Sequence, residues 1–495
     1  MFEVAELGHK VTKSDYNEKI PELRTQLLTI QQQLRNQDYS DIILISGVDG
    51  GGKGEVINLL NEWLDPRLMR TNAYDSPSDE EKERPTFWRY WRTMPAKGTI
   101  GIYVGSWYSN PIAQRVYDKI SDVDLKVHLT RIKELEQELA DDNTLIIKCW
   151  LHLKQEQQKK RLKQLEKNPE TAWQVTERDK KHLKMYDTFV GVAENVLTET
   201  SSAQNPWLIV EGSDIRYSSL TVGQHILDKI KFHISSCAKQ QDTQVVAQPA
   251  RIIHGNQPSL LDALDLKRNL DKDKYNEQLS HYQGKLNKLA RQAHAKKVSS
   301  ILVFEGWDAG GKGGAIRRLT HAMDARNYQV IPIAAPTEEE RMQHYLWRFW
   351  RHMPRAGRVT IYDRSWYGRV LVERVEGFAT ESEWTRAYPE IRNFEEALTE
   401  HGIAVLKFWL HIDPDEQLRR FKAREQISYK QYKITDEDYR NREKWDAYSL
   451  AVNDMVARTS TQSSLWTLVE ANDKRYARIK VLKTYCAKLE EMLDK

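Results

Sequence analysis

Short apolar runs alternate with longer stretches of helical periodicity along this chain, most clearly in its second half. The runs are rich in β-branched and aromatic residues, which favours strands. Nearly every position in them is apolar, so each strand should be buried on both faces, as in a parallel sheet covered by helices. The predicted strands of the second half span residues 301–304, 328–333, 359–362, 405–410 and 465–469. The pattern therefore predicts an α/β fold of three layers.

The same pattern occurs twice. Trp350-Arg351 repeats Trp91-Arg92, and the Trp-Leu-His of residues 409–411 repeats that of residues 150–152, each at a separation of 259 positions. A constant separation leaves almost no room for insertions, so two copies of one fold should follow each other, each with its own core. The predicted domains are residues 1–236 and 260–495, joined by a linker of residues 237–259 that contains Gln, Pro and Ala.

Composition and charge exclude several classes of protein. With 40% hydrophobic and 29% charged residues, the chain is predicted to be a soluble globular protein. Its 75 basic and 71 acidic residues give a net charge of +4, which argues against nucleic-acid binding through bulk charge. Three cysteines without paired spacing suit a reducing compartment. With no signal peptide and no apolar run of membrane-spanning length in the sequence, we expect a cytoplasmic protein without a membrane partner.

A glycine-rich stretch follows the first predicted strand of the second half. Residues 306–312 read Gly-Trp-Asp-Ala-Gly-Gly-Lys, which fits the G-x-x-x-x-G-K pattern of a P-loop, or Walker A motif. Strand, glycine turn, lysine and helix form a phosphate cradle, because backbone N–H groups and the helix dipole meet an anion there. An ordinary glycine-rich turn is the alternative for such a loop on its own. The predicted phosphate-binding glycines are Gly306, Gly310, Gly311 and Gly313, and Lys312 is a predicted catalytic residue.

One usual part of a P-loop is missing. Gly313 stands where a Ser or Thr hydroxyl would hold magnesium, so another oxygen must take its place, and Asp308 inside the loop is the nearest candidate. Asp363 follows the predicted strand 359–362, where P-loop proteins place a second magnesium-holding group. Its alternative role is to cap the next helix. We predict that Asp308 and Asp363 bind Mg²⁺ and are catalytic, and that Arg364 neutralises phosphoryl charge.

Two arginines upstream of this strand are predicted to bind phosphate. Arg348 and Arg351 are three positions apart in a helix-compatible stretch, so they share one face. Two guanidinium groups that point the same way suit a phosphate. Because surface arginines are common, a role without a ligand remains the alternative.

A basic stretch follows the predicted strand 405–410, and its Arg420 is also predicted to bind phosphate. A helix with this much positive charge after a sheet strand is typical of a lid that closes over phosphates. Acidic residues nearby leave a solvated helix face as the alternative. The basic residues of the stretch are Arg419, Arg420, Lys422, Arg424, Lys430 and Lys433.

The duplication provides an internal control for these predictions. The loop residues Asp49 and Lys53 of the first half match Asp308 and Lys312. The charged pair after the strand has no counterpart, because Val104 and Gly105 stand at its positions, although the following Ser-Trp-Tyr is kept. Packing residues are thus kept and charged residues lost. The second half is predicted to be catalytic and the first half to be a degenerate copy.

Together these motifs resemble the family-two polyphosphate kinases, which have the P-loop kinase fold. The resemblance rests on the glycine loop at 306–313, the Trp-Arg-Phe-Trp-Arg stretch at 347–351, the Asp-Arg-Ser-Trp-Tyr-Gly of 363–368 and Trp-Leu-His at 409–411. It implies two tandem three-layer domains, each with a helical lid. It also implies that, with magnesium, a terminal phosphoryl group moves between inorganic polyphosphate and a nucleotide. Two-copy members resemble enzymes that make ADP from AMP. Asp308, Lys312, Asp363 and Arg364 match the family's catalytic positions.

Two other functions remain open at the level of sequence. One is an ATP-dependent kinase of the same fold that acts on a nucleoside or another small molecule. The other is a nucleotide-dependent scaffold in which neither site turns over, although the Asp363-Arg364 pair argues against it. The first half is hypothesised to extend a polyphosphate-binding surface or to mediate assembly, so a homo-oligomer also remains open.

Overall fold

The computed structural model describes residues 1–242, 259–426 and 436–494 of the chain. Each half forms one five-stranded sheet whose neighbouring strands pair in parallel, with helices on its faces. The two strand orders are β2-β3-β1-β4-β5 and β7-β8-β6-β9-β10, which is the same order in each copy. The predicted duplication of one α/β fold is therefore confirmed.

The strands of the second half begin and end within two residues of the predicted positions. The sheet of the first half contains β1 (Asp41–Gly47), β2 (Met69–Ala73), β3 (Ile100–Val104), β4 (Leu145–His152) and β5 (Trp207–Glu211). The sheet of the second half contains β6 (Ser300–Gly306), β7 (Tyr328–Pro332), β8 (Val359–Asp363), β9 (Ala404–His411) and β10 (Trp466–Glu470).

Helices of widely different length connect these strands. Those of the first half are α1 (Lys13–Leu34), α2 (Lys53–Trp63), α3 (Asp79–Lys82), α4 (Trp88–Trp91), α5 (Ser109–Val116), α6 (Asp122–Asp141), α7 (Gln155–Lys167), α8 (Glu177–Lys184), α9 (Tyr186–Thr200) and α10 (Ile215–Asp242). Those of the second half are α11 (Lys272–Ala295), α12 (Lys312–Thr320), α13 (Glu338–Arg341), α14 (Trp347–Trp350), α15 (Val372–Val375), α16 (Glu381–Glu400), α17 (Pro414–Glu425), α18 (Asp436–Glu443), α19 (Trp445–Thr459) and α20 (Lys474–Leu493). Short 3-10 helices span Phe2–Ala5, Pro66–Leu68, Ala172–Gln174 and Trp366–Val370.

The register of the second sheet brings distant motifs to one edge. Phe304 of β6 pairs with Asp363 of β8, and Gly306 pairs with Leu410 of β9. Because parallel strands end on the same side of a sheet, the glycine loop and the residues after β8 meet there.

A buried ion pair shows how closely the two cores agree. Lys407 of β9 donates to the Glu395 carboxylate at 2.7 Å, and Lys148 of β4 donates to Glu136 at 2.8 Å. All four residues are buried. Removing one partner of such a pair would leave an unpaired buried charge, so both members must be kept for the fold. The duplication has preserved this structural requirement in both halves.

The described residues cluster into two compact units that exchange short segments relative to the two sequence halves. One unit comprises Met1–Pro77, Arg89–Val246 and Glu338–His344, and the other comprises Ser78–Trp88, Ala247–Thr337 and Tyr345–Lys495. Within the second unit, Arg355 donates to the Glu83 carboxylate at 2.6 Å. The first half therefore contributes residues to the unit that holds the second sheet. The predicted domain boundaries stay a prediction.

The long helix α10 continues past residue 237, where the linker was predicted to begin, and ends at Asp242. Residues 243–258 of that linker, and Lys430 and Lys433 of the predicted lid, lie outside the described residues. None of the helices in the described ranges is long and apolar enough to span a bilayer.

Candidate active site

The glycine loop connects β6 to α12 in a conformation that glycine makes possible. Gly306 has φ 147°, and a Cβ atom there would approach the carbonyl oxygen of Leu410 to 2.5 Å. Gly311 has φ 109° and precedes α12 without a side-chain cap. The first N–H groups of α12 therefore face the loop with no capping side chain, which is the arrangement that binds an anion at a helix N-terminus.

Lys312 begins α12 and folds back over the loop. Its Nζ donates to the carbonyl oxygen of Gly306 at 2.6 Å and lies 3.4 Å from that of Trp307. The side chain is partly buried and lies in the cavity beside the loop. Its charge is thus held where a phosphate in the cradle would meet it.

The loop carboxylate of Asp308 is bonded from two sides. Its Oδ1 accepts from Nη2 of Arg364 at 3.2 Å, and its Oδ2 accepts from Nδ2 of Asn441 at 3.1 Å. Asn441 belongs to α18, which is far from the loop in sequence. Asp308 therefore links the glycine loop to the segment after β8 and to α18.

Asp363 ends β8, and Arg364 follows it in an unusual backbone conformation. Arg364 has φ 66°, and its N–H donates to the carbonyl oxygen of Phe304 at 3.0 Å. Left-handed backbone in a residue other than glycine costs about 1 kcal/mol and is concentrated at functional sites. The Arg364 side chain is half exposed. In this conformation the Arg364 side chain lines the cavity beside the loop.

A cavity of about 590 Å³ lies over the loop and is strongly basic. Eight basic side chains and two carboxylates, those of Asp308 and Asp363, line it. An excess of positive charge in a concave site concentrates anions there. Burial and the neighbouring arginines lower the pKa of Lys474 to about 8. The basic residues are Lys312, Arg317, Arg364, Arg419, Arg420, Arg424, Lys474 and Arg478.

Arg420 borders this cavity, but its donors are directed at the protein. The residue is only 3% exposed. Its guanidinium donates to the carbonyl oxygens of Ala309 and Gly310, to those of Ala471 and Asn472, and to Glu416. In this conformation it ties the glycine loop to the segment after β10. Its predicted contact with phosphate stays a prediction.

Arg348 and Arg351 lie outside the residues that line this cavity. Nη2 of Arg348 donates to the carbonyl oxygen of Ala334 at 3.1 Å. The guanidinium of Arg351 lies 4.6 Å from the ring centroid of Trp347, a cation–π contact. The structure thus does not bring this pair together with Lys312 and Arg364, and its phosphate-binding role stays a prediction.

Three residues of the site were missed from the sequence. Lys474 and Arg478 begin α20, one helical turn apart, and both line the cavity, while Asn441 holds Asp308. The duplication contains a signal for the first two. At their positions the first half has Ile215 and Ser219, so the same loss of charge recurs on the last helix of the fold.

At the corresponding site of the first half, the loop carboxylate contacts two basic side chains of the protein. Asp49 accepts a hydrogen bond of 2.5 Å from Nδ1 of His182, and Nζ of Lys53 lies 3.7 Å from the same carboxylate. Val104 ends β3 and Gly105 follows it. A Cβ atom at Gly105, which has φ 70°, would clash with the carbonyl oxygen of Tyr74. The first half therefore has no room for an arginine at that position without a backbone shift.

The residues at the second-half loop fit a divalent cation that is completed by its substrate. Among the described residues, no three or more His, Cys, Asp or Glu side chains cluster closely enough to form an all-protein metal site. Magnesium typically uses one or two carboxylates plus phosphate oxygens and water. Asp363 lines the cavity, and within the described ranges no hydrogen-bond donor reaches its carboxylate. Its oxygens are therefore open to a cation.

Comparisons with known proteins agree with this geometry. The family model for polyphosphate kinase 2 matches residues 10–237 and again residues 269–495. A polyphosphate:AMP phosphotransferase of Pseudomonas aeruginosa is 51% identical over 98% of this chain and 97% of its own length. One of Acinetobacter johnsonii is 36% identical over 96% of this chain and 97% of its own. The crystal structure of a polyphosphate kinase 2 from P. aeruginosa superposes with a TM-score of 0.88 at 48% identity, covering 100% of this chain and 99% of that one.

Proposed function

Since the chain belongs to the polyphosphate kinase 2 family, we propose that it transfers the terminal phosphoryl group of inorganic polyphosphate to AMP, giving ADP. The choice of AMP rests on full-length relatives named polyphosphate:AMP phosphotransferase. The choice of a phosphate chain as donor agrees with the basic cavity. We also infer a cytoplasmic location, which suits a chain whose three cysteines are all free.

The observation that carries the proposal is the basic cavity over a P-loop with a carboxylate beside it. Its positive side chains lie at the loop, on α12, on α17 and on α20. A nucleoside triphosphate has a nucleoside at one end, whereas a phosphate chain is anionic along its whole length. Cations spread over three helices beyond the loop therefore suit the phosphate chain better.

Phosphoryl transfer requires position and charge neutralisation more than covalent chemistry by the protein. An oxygen of the AMP phosphate attacks the terminal phosphorus, the bond to the bridging oxygen breaks, and polyphosphate leaves one unit shorter. Lys312 and the first N–H groups of α12 hold phosphate oxygens next to the reacting group. Arg364 lies close enough to Asp308 to be fixed by it and offsets charge on the transferred group.

We propose that Asp363 and Asp308 hold Mg²⁺, which would neutralise phosphate oxygens and align the reacting groups. Asp363 has the open carboxylate, whereas Asp308 is bonded to Arg364 and Asn441. Asp363 is therefore the principal ligand in this proposal. Asp308 is the second ligand and also orients Arg364.

The decisive experiment measures ADP formation from AMP and polyphosphate with Mg²⁺ and without ATP. Asp363→Asn should reduce kcat by about 100-fold or more, because an amide binds the cation weakly. Asp49→Asn is the matched control in the first half and should stay within about 2-fold of the unchanged chain. If the unchanged chain forms ADP with ATP as donor but not with polyphosphate, the proposed donor is wrong. If both substitutions are equally harmful, the assignment of catalysis to the second half is wrong.

A further inference from the structure

A buried carboxyl group beneath the glycine loop takes no part in the mechanism above. Glu305 precedes Gly306 on β6 and is only 5% exposed. Together with Asp308, Lys312 and Arg364 it lines a second, smaller cavity of about 80 Å³. A buried carboxyl group is costly unless it has partners, so its presence needs a reason.

Glu305 is bonded to the segment that carries the strand-end pair. Oε1 of Glu305 accepts from Oγ of Ser365 at 2.8 Å, and Ser365 is 2% exposed. Ser365 immediately follows Arg364, whose N–H is bonded to Phe304, the residue before Glu305. Two adjacent residues of β6 thus hold two adjacent residues of the segment after β8. One bond is between backbone groups and the other is between side chains.

The side-chain bond is absent from the first half, although the serine is kept. Ser46 and Ser106 stand at the positions of Glu305 and Ser365. Both hydroxyl groups are buried, and within the described residues neither has a hydrogen-bond partner. The first half has therefore lost this carboxylate together with the Asp-Arg pair.

If the bond between Glu305 and Ser365 were needed only for folding, it should have been preserved in both halves. The Lys407–Glu395 pair and its counterpart Lys148–Glu136 were preserved in this way. Glu305 instead follows the pattern of Asp363 and Arg364, whose counterparts Val104 and Gly105 are uncharged. This difference in retention separates it from the shared core.

We propose that Glu305 is a positioning residue for phosphoryl transfer: through Ser365 it fixes the segment that carries Asp363 and Arg364 relative to Lys312. The inference rests on the proposed function, because the positioned groups are those assigned to phosphoryl transfer. Loss of an outer partner that orients a binding or reacting group typically costs about 10- to 100-fold. Small displacements of reacting groups have effects of similar size.

The test compares variants that remove the bond with one that keeps it. Glu305→Ser copies the first half, and Ser365→Ala removes the donor. Each should lower kcat for ADP formation from AMP and polyphosphate by about 10- to 100-fold while KM for AMP stays within about 2-fold. Glu305→Gln retains an acceptor oxygen and should stay within about 3-fold of the unchanged chain. The double variant Glu305→Ser/Ser365→Ala should be no worse than the poorer single variant, because both changes break one bond.

Ser106→Ala is the matched control and should leave kcat and the thermal midpoint unchanged. The proposal is overturned if Glu305→Ser and Ser365→Ala multiply in the double variant, or if either retains full kcat. It is also overturned if Glu305→Gln is as defective as Glu305→Ser. Should Glu305→Ser fail to fold, Ser365→Ala and Glu305→Gln decide the question. Failure of the underlying function gives a different result, namely no ADP from polyphosphate with the unchanged chain.

Discussion

The two halves of the chain share strand order, a buried lysine–glutamate pair and a glycine loop, yet they differ where the strands end. In the second half β8 ends at Asp363 and a strained Arg364 follows it, whereas in the first half β3 ends at Val104 and an unstrained glycine follows it. Residues that hold the core have been kept in both copies. Asp363, Arg364, Lys474 and Arg478, which carry charge at the cavity of the second half, have uncharged counterparts in the first. The core and the charge of the cavity therefore depend on different residues of the same backbone.

The loop lysines provide the strongest test of this difference. Lys312→Ala should lower kcat for ADP formation by about 1,000-fold, because it removes the cation that the proposed mechanism places beside the transferred phosphate. Lys53→Ala should change it by less than about 2-fold, since the proposed mechanism gives no role to the first-half loop, where Lys53 lies against Asp49. Steady-state kinetics with both variants checks this. Comparable losses would mean that the first half takes part in the reaction.

Arg364→Gly exchanges the strand-end residue of the second half for that of the first. Activity should fall by about 100-fold through loss of the guanidinium. The free energy of unfolding should not fall, because glycine adopts φ 66° without strain and offsets the loss of a half-exposed ion pair. Kinetics and urea unfolding of the same preparation test both parts. A large drop in stability would show that Arg364 is needed for folding rather than for chemistry.

Asp41 offers a smaller difference at the opposite ends of the strands. It begins β1 fully buried, and among the described residues neither carboxylate oxygen has a hydrogen-bond partner. Burial raises the pKa of Asp41 well above its usual range. Ser300 stands at this position in β6. The first sheet thus contains a titratable group that the second lacks.

The pKa of Asp41 is higher in the folded state than in the unfolded state. The contribution of its carboxyl group to the free energy of unfolding is therefore fully present below the unfolded pKa of about 4 and is lost as pH rises towards the folded pKa. Asp41→Ser should therefore gain stability relative to the unchanged chain between pH 5 and pH 7, by at most about 1.4 kcal/mol per pH unit. Urea unfolding at the two pH values measures this. Ser300→Ala is the control, and its effect should not depend on pH. A difference for Asp41→Ser that stays constant with pH would contradict the assignment.

Much of the fold could be predicted because its signals are local. The apolar runs, which indicate strands buried on both faces, predicted the bounds of the strands in the second sheet to within two residues. The constant separation of 259 positions predicted the repeated fold. The glycine loop could be predicted because its residues are consecutive in the chain. The position of Asp363 and Arg364 at the end of β8 could be predicted because an apolar run precedes them in the sequence.

Tertiary structure decided which side chains meet. Asn441 reaches Asp308 from another helix, and Lys474 reaches the cavity from α20, although neither lies near the loop in sequence. Arg420 lies in the basic stretch for which a lid was predicted, but its guanidinium group is buried and donates to backbone carbonyl oxygens. Arg348 and Arg351 share a helix face, but that face does not line the cavity. Periodicity specifies which face of an element is apolar, whereas the direction of a polar side chain depends on the neighbours that packing supplies.

The sequence by itself thus determined the strands, their repetition and the glycine loop between β6 and α12, since each depends on residues that are neighbours in the chain. Only the tertiary structure revealed the segment 78–88 within the second unit and the bond from Glu305 to Ser365. Those contacts depend on how the strands are ordered in the sheet and on which buried polar groups must find partners. Such pairings are set by the whole fold, because a buried donor or acceptor is satisfied by whichever group the packing places beside it.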